Sequence, residues 1–135
     1  MASLNMGISY ALTNEEIERL VGENRIGNYA YGYLNAQATF IVRYVGRSDT
    51  DLRERIKHGI ADMEADPSCH YERFKFSYAE SAQEAYEKEC RNYHDFGGDR
   101  GKLKNTNHPA KPEGYNGKCP VCDDQKPYND SLNIT

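Results

Sequence analysis

The alternation of apolar and polar residues changes period along the chain, and each change marks an element. Leu12 to Glu23 predicts a short helix, with Thr13 and Glu16 spaced as a capping box. Gly27 to Leu34 alternates with period two, placing Tyr29, Tyr31 and Tyr33 on one face of a strand. After a turn at Asn35 to Ala38, Thr39 to Val45 predicts a second strand. Phe40, Val42 and Tyr44 share one face there, and Ile41, Arg43 and Val45 the other. These two runs predict an antiparallel hairpin. Asp51 to about Ala65 predicts a helix with the apolar stripe Leu52, Ile56, Ile60 and Met63, closed by Asp66 and Pro67. Glu72 to Tyr78 predicts a third strand, with Phe74, Phe76 and Tyr78 alternating. Ser81 and Glu84 then open a helix that runs to about His94 and stops at Gly97 and Gly98. Beyond it the chain is polar and rich in Gly, Pro and Asn.

This order predicts an α+β fold, a three-stranded antiparallel sheet flanked by helices. One sheet face is expected to meet both long helices. A length of 135 residues suits one domain. Residues 1–23 are expected as an N-terminal helical extension, 24–112 as the core, and 113–135 as a polar tail carrying a Cys-x-x-Cys pair.

Composition narrows the function. No apolar run approaches the ~20 residues of a membrane span, and Met1 to Asn14 lacks a leader-like pattern. Cytoplasmic residence is therefore expected, with the glycosylation triplets at Asn129 and Asn133 read as chance matches. The net charge of −4 argues against a strong nonspecific nucleic-acid binder. Basic residues nonetheless cluster locally, at Arg43, Arg47, Arg53, Arg55 and Lys57, and again at Arg100, Lys102, Lys104 and Lys111. A weakly binding catalytic module fits this distribution. Arg43, Arg47, Lys57, Lys102 and Lys104 are the candidate nucleic-acid contacts.

Glu89 is the most informative position. At 100° per residue it falls inside the stripe of Ala82, Tyr86, Cys90 and Tyr93. A buried carboxylate needs a cation. An arginine partner and a bound metal are both open. Arg43 to Ser48 ends a strand at a glycine flanked by arginines just before a helix, a weak phosphate-binding signal. Tyr29, Tyr31, Tyr33 and Tyr44 are expected across one hairpin, where packing competes with a role in proton transfer or phosphate binding.

Gly27-Asn28-Tyr29 followed by Tyr44-Val45-Gly46 resembles the paired strand motifs of the GIY-YIG nuclease superfamily. Asp51 to Arg55 resembles that family's next helix, with its functional arginine at the end. Ala85 to Glu89 resembles the helix bearing the metal-binding glutamate, and Leu103-Lys104-Asn105 the closing asparagine motif. The resemblance covers roughly residues 27 to 109. Gly32-Tyr33 also matches the first motif, and Asn107 stands as an alternative to Asn105. Periodicity does not choose Arg55 over Arg53; the resemblance does.

The resemblance implies a DNA endonuclease with Tyr29, Tyr44, Arg55, Glu89 and Asn105 at its site. One Mg²⁺ (or Mn²⁺) on Glu89 would neutralise the scissile phosphate. It implies Arg55 on the phosphate, Asn105 as a brace, and Tyr29 or Tyr44 positioning or deprotonating water. A base role requires a phenol pKa below its usual ~10. The expected partner is double-stranded or branched DNA, with a homodimer or a protein partner supplying specificity.

Lys118 to Asp123 resembles a zinc knuckle, and structural zinc wants four ligands. Cys90 and His94, spaced i, i+4, would complete a set with Cys119 and Cys122. His108, Cys69 and His70 are alternative ligands, and a pair that binds nothing is the competing reading. Two other functional readings compete with the nuclease. One is a noncatalytic nucleic-acid-binding module, the other a zinc-stabilised interaction domain.

Overall fold

The computed structural model describes residues 3–98, 103–105, 107–115 and 117–124. The order is β1 (Tyr10–Ala11), α1 (Asn14–Leu20), β2 (Gly27–Leu34), β3 (Phe40–Ser48), α2 (Leu52–Ala65), β4 (Arg73–Tyr78), α3 (Ala82–Asp95) and α4 (Pro120–Asp124), with a 3₁₀ turn at Pro67–Cys69. Thr13, Asp51 and Ser81 cap α1, α2 and α3, each side chain accepting from the backbone N–H three residues on.

The fold is α+β, but the antiparallel sheet has four strands rather than three, in the order β1-β4-β2-β3. The added strand is only two residues long, pairing Tyr10 with Phe74 and Ala11 with Arg73. Two residues cannot display an alternation, so the pattern gave no sign of it. Arg73 holds it in place, donating to Ser9 Oγ at 2.7 Å and to Ser9 O at 2.8 Å. Upstream, Leu4 and Met6 are buried in the core. The first 23 residues thus contribute a strand and core side chains as well as α1.

The helices do not share a sheet face. Tyr29, Tyr31 and Phe74 pack with Leu52 and Ile56 of α2 and Ile17 of α1. Ala30, Val42 and Val45 pack with Tyr93 of α3 and with Leu4 and Met6 on the other side. The physical reason lies in β2, which sits between β4 and β3. Its alternate positions Asn28, Ala30 and Gly32 are small enough for a helix to approach, and the Asn28 amide donates to Ala85 O of α3 at 2.9 Å. Burial on both faces makes three layers.

A bulge also redistributes β3. Tyr31 pairs with Tyr44, but Gly32 pairs with Val42, which leaves Arg43 as the extra residue. Val42 therefore joins Val45 on the α3 face, and Tyr44 joins Tyr29 and Tyr31 on the α2 face. The expected face of Phe40, Val42 and Tyr44 is split at this point.

Tyr31 fastens α2 to the sheet. Its hydroxyl donates to Arg55 O at 3.2 Å and Ile56 O at 2.9 Å, and its ring lies where a Cβ on Gly59 would be. That contact explains a glycine inside a helix, where it costs about 1 kcal/mol relative to alanine. Among the described residues, no helix is long and apolar enough to cross a membrane.

Candidate active site and metal centre

β3 is an edge strand, so groups from the two sheet faces can converge beyond it. A cavity of about 420 Å³ lies there, lined by Arg47, Asp49, Thr50, Arg55, Glu89 and Ala110. Arg55 comes from α2 on one face and Glu89 from α3 on the other.

Glu89 is 9 % exposed, as its place in the α3 stripe predicts. Its cation is Arg47, whose Nη1 donates to Glu89 Oε1 at 2.6 Å. The rest of the guanidinium fork holds Asp49, through Nε to Oδ1 at 2.8 Å and Nη2 to Oδ2 at 3.2 Å. Burial pushes the Glu89 carboxyl above the usual range, against the opposing pull of Arg47. Glu89 Oε2 has no hydrogen-bond partner among the described residues and belongs to a group lining the cavity. Two carboxylates at one cavity wall, one with an unengaged oxygen, suit a hard divalent cation that keeps most of its waters.

Asp49 was not among the expected site residues. Its only signal was position, two residues beyond Arg47 in the loop before α2.

Arg47→Ala would leave a buried carboxylate without its partner. With both side chains only 11 % exposed, the loss should reach about 3 kcal/mol at pH 8. The sign with pH follows from the direction of the shift. Glu89's folded pKa, already raised, rises further in the variant. The unfolded carboxylate loses its proton first, so the penalty grows as pH rises through that window and shrinks as pH falls. Urea unfolding at pH 8 and pH 5 should show the larger loss at pH 8. Equal losses would contradict this pairing.

On the α2 side, Arg55 Nη1 donates to Arg47 O at 3.3 Å. Arg53 faces the other way, donating to Val21 O at 2.7 Å and Glu18 O at 3.1 Å. The rings of Tyr29 and Tyr44 stack with centroids 6.3 Å apart. The Tyr29 ring also lies over Gly46, where any Cβ would collide with it. Tyr33 sits at the far end of the hairpin, stacked 3.7 Å from the His70 ring. Burial raises the pKa of Tyr29, with Tyr44 adding to it and Arg55 opposing. Burial and then Glu89 raise Tyr44, again against Arg55. The lowering that a phenolate base requires is reversed here. These directions favour phenols that stay protonated and act as hydrogen-bond donors.

Asn105 clamps the edge strand. Its Nδ2 donates to Val45 O at 2.8 Å, and its Oδ1 accepts from Val45 N at 3.0 Å. An edge strand leaves such outward groups unpaired, and one asparagine satisfies both. The backbone N–H of Lys104 donates to Arg43 O beside it. Asn107 is exposed.

The expected nucleic-acid contacts are not gathered into one patch. Arg47 lines the cavity, but its guanidinium is committed to carboxylates. Arg43, the bulge residue, donates from Nε to Cys69 O at 3.2 Å. Lys57 pairs with Glu18 at 2.7 Å and Glu54 at 3.4 Å. Lys102 lies outside the described residues.

A second constellation lies next to α3. His94, His108, Cys119 and Cys122 bring their ligand atoms within 4.8 Å of one another, a group able to hold a metal ion. Cys90 is replaced in this set by His108. Although Cys90 stands one turn before His94, it is outside the set: it is fully buried with Tyr86 and Cys119, and its thiol is pushed up to about 12 by that burial. Cys122 Sγ lies 3.3 Å from His94 Nε2 and 3.4 Å from His108 Nε2. Burial, then His108, holds the His94 pKa below the usual range, which favours the neutral imidazole that ligates metals. Cys69 and His70 lie outside the set.

Comparison of the chain with family models, with curated proteins and with solved structures finds no match.

Proposed function

We propose that the protein is a metal-dependent endonuclease of the GIY-YIG type, hydrolysing DNA phosphodiester bonds at the cavity beside β3. The observation that carries this reading is the meeting of Arg55 and Glu89. They come from helices on opposite sheet faces, yet they line one cavity, and both act electrostatically on Tyr29 and Tyr44. Glu89, with Asp49 beside it, would hold Mg²⁺ or Mn²⁺. Such an ion, when bound, supplies neutralisation of charge on the scissile phosphate.

The chain's own residues do the rest. Arg55 grips a non-bridging phosphate oxygen and offsets the charge that grows there. Tyr29 and Tyr44 donate hydrogen bonds that orient the attacking water or the phosphate. Asn105 fixes Val45 and with it the neighbours Tyr44 and Gly46. The His₂Cys₂ group is a structural zinc site, closed by four protein ligands as such sites are. The partner is double-stranded or branched DNA met in the cytoplasm, with a second copy or another protein supplying specificity.

A second reading is a noncatalytic nucleic-acid-binding module. The Arg47–Glu89 pair favours it, because that pair already gives the buried carboxylate a cation. The two neighbouring arginines of α2 separate the readings. Arg55→Ala should slow nicking of supercoiled plasmid in Mg²⁺ by about 10²–10³-fold. Arg53→Ala, which loses contacts to α1 instead, should leave the rate of the folded protein nearly unchanged. Equal effects of the two would count against a phosphate role for Arg55.

A further inference from the structure

The His₂Cys₂ group and the cavity share chain segments. His94 lies in the last turn of α3, five positions after Glu89, which is about 7.5 Å along the helix. His108 follows Asn105 by three positions and precedes Ala110 by two. Asn105 clamps Val45, and Ala110 lines the cavity with Arg55 and Glu89. One ion held by His94 and His108 would therefore tie the Glu89 helix to the stretch that carries both the clamp and a cavity wall.

The ligand geometry suits zinc. Metal–ligand distances of about 2.0–2.3 Å in a tetrahedron put neighbouring ligand atoms roughly 3.5 Å apart. Two of the six separations, from Cys122 Sγ to the histidine nitrogens at 3.3 and 3.4 Å, match that edge, and the whole set lies within 4.8 Å. His108 Nδ1 lies 2.9 Å from Pro109 O, and since a carbonyl only accepts, the contact calls for the tautomer with its proton on Nδ1. That leaves the lone pair on Nε2, which faces Cys122. The Cys122 N–H approaches Cys119 Sγ at 3.4 Å, a contact that supports a thiolate.

Few regular elements order this stretch, so a metal there would have much to fix. Residues 103–105 and 107–112 contain no helix or strand. Segments with few backbone hydrogen bonds open at low cost unless something fixes them. Here the fixing points beside His108 are the Lys104 and Asn105 bonds to β3 and the buried Pro109 and Pro112.

We propose that zinc at His94, His108, Cys119 and Cys122 positions the pocket wall and the Asn105 clamp, so that the order of the cleavage site depends on this second metal. The role as a wall of a cleavage site rests on the nuclease reading; the structural coupling does not.

Amide hydrogen exchange on the full chain tests it without DNA. The zinc-loaded protein, at about one equivalent by elemental analysis, is compared with the same protein stripped by a chelator. The amides to follow are Val45, which donates to Asn105, and Lys104, which donates to Arg43. Both should exchange at least about tenfold faster without zinc and end nearly unprotected, while β2–β4 amides, their protection lowered by the stability that zinc contributed, remain well protected. Unchanged protection at Val45 and Lys104 would overturn the proposal. So would complete loss of protection across the sheet, because zinc would then hold the fold and not the wall. Protein purified under reducing conditions with no zinc, or with a Cys119–Cys122 disulfide, would overturn it too. Zinc-dependent protection in a protein that never nicks DNA would sustain the coupling while sinking the nuclease reading.

Discussion

Glu89→Ala should remove plasmid cleavage and leave DNA binding nearly intact. The carboxylate would be the chief anchor of the divalent ion, and such an ion supplies several kcal/mol of transition-state stabilisation. At 1.36 kcal/mol per decade, a loss of about 4 kcal/mol is roughly 10³-fold in rate. Binding should change little, because removing an acid takes no phosphate contact away. Arg47 keeps Asp49 as a partner in the variant, so the guanidinium is not stranded. Glu89→Gln separates chemistry from packing. Its amide oxygen can still accept from Arg47, which preserves the fold while weakening the hold on a cation. Cleavage by either variant at the wild-type rate would sink the metal assignment.

Cys122→Ser should take the bound zinc from about one equivalent to nearly none. Cys122 Sγ lies within 3.4 Å of both histidine nitrogens, so its loss opens the set on two sides. The cost in stability follows from mass action. When free zinc stands at 1,000 times its dissociation constant, binding to the folded state alone contributes about 4 kcal/mol. Wild type should therefore lose roughly that much when zinc is removed, and the variant should not respond to zinc at all. Cys69→Ser serves as the control, since Cys69 is a cysteine outside the set. Full zinc retention by Cys122→Ser would refute the ligand assignment.

The two candidate metal sites were legible in the sequence to different degrees. Glu89 was readable because helical periodicity is regular, and its place in the α3 stripe correctly implied burial beside a cation. Which cation was not readable. Arg47 lies on a strand, and its reach to α3 depends on β3 being the sheet edge, a property of topology. The same periodicity set Cys90 and His94 on one side of α3, but a one-turn spacing does not say which of them turns into the core. Cys90 is packed with Tyr86 and against Cys119 and Cys122 themselves, yet it is His94 whose ligand atom joins the set. His108 comes from a stretch without helix or strand, where no period exists to place it.

The hairpin failed differently. The Arg43 bulge inserts one residue, and a shift of one residue exchanges the two faces of a strand. Alternation read through it assigns Val42 to the wrong side. Strand β1 escaped because two residues carry no period, and the helices fell on opposite faces because β2 carries small, uncharged residues (Asn28, Ala30 and Gly32) on its second side. By contrast, the limits of α2, β2 and α3 followed from caps and alternation, which are local.

The most direct test of the central claim is nicking of supercoiled plasmid by zinc-loaded, folded wild-type protein in Mg²⁺, in Mn²⁺ and in EDTA, with a branched duplex run beside it. The account predicts nicking or branch cleavage in either divalent ion and none in EDTA. Intact DNA of both kinds under all three conditions, from protein that binds it, would contradict the account and favour a binding module.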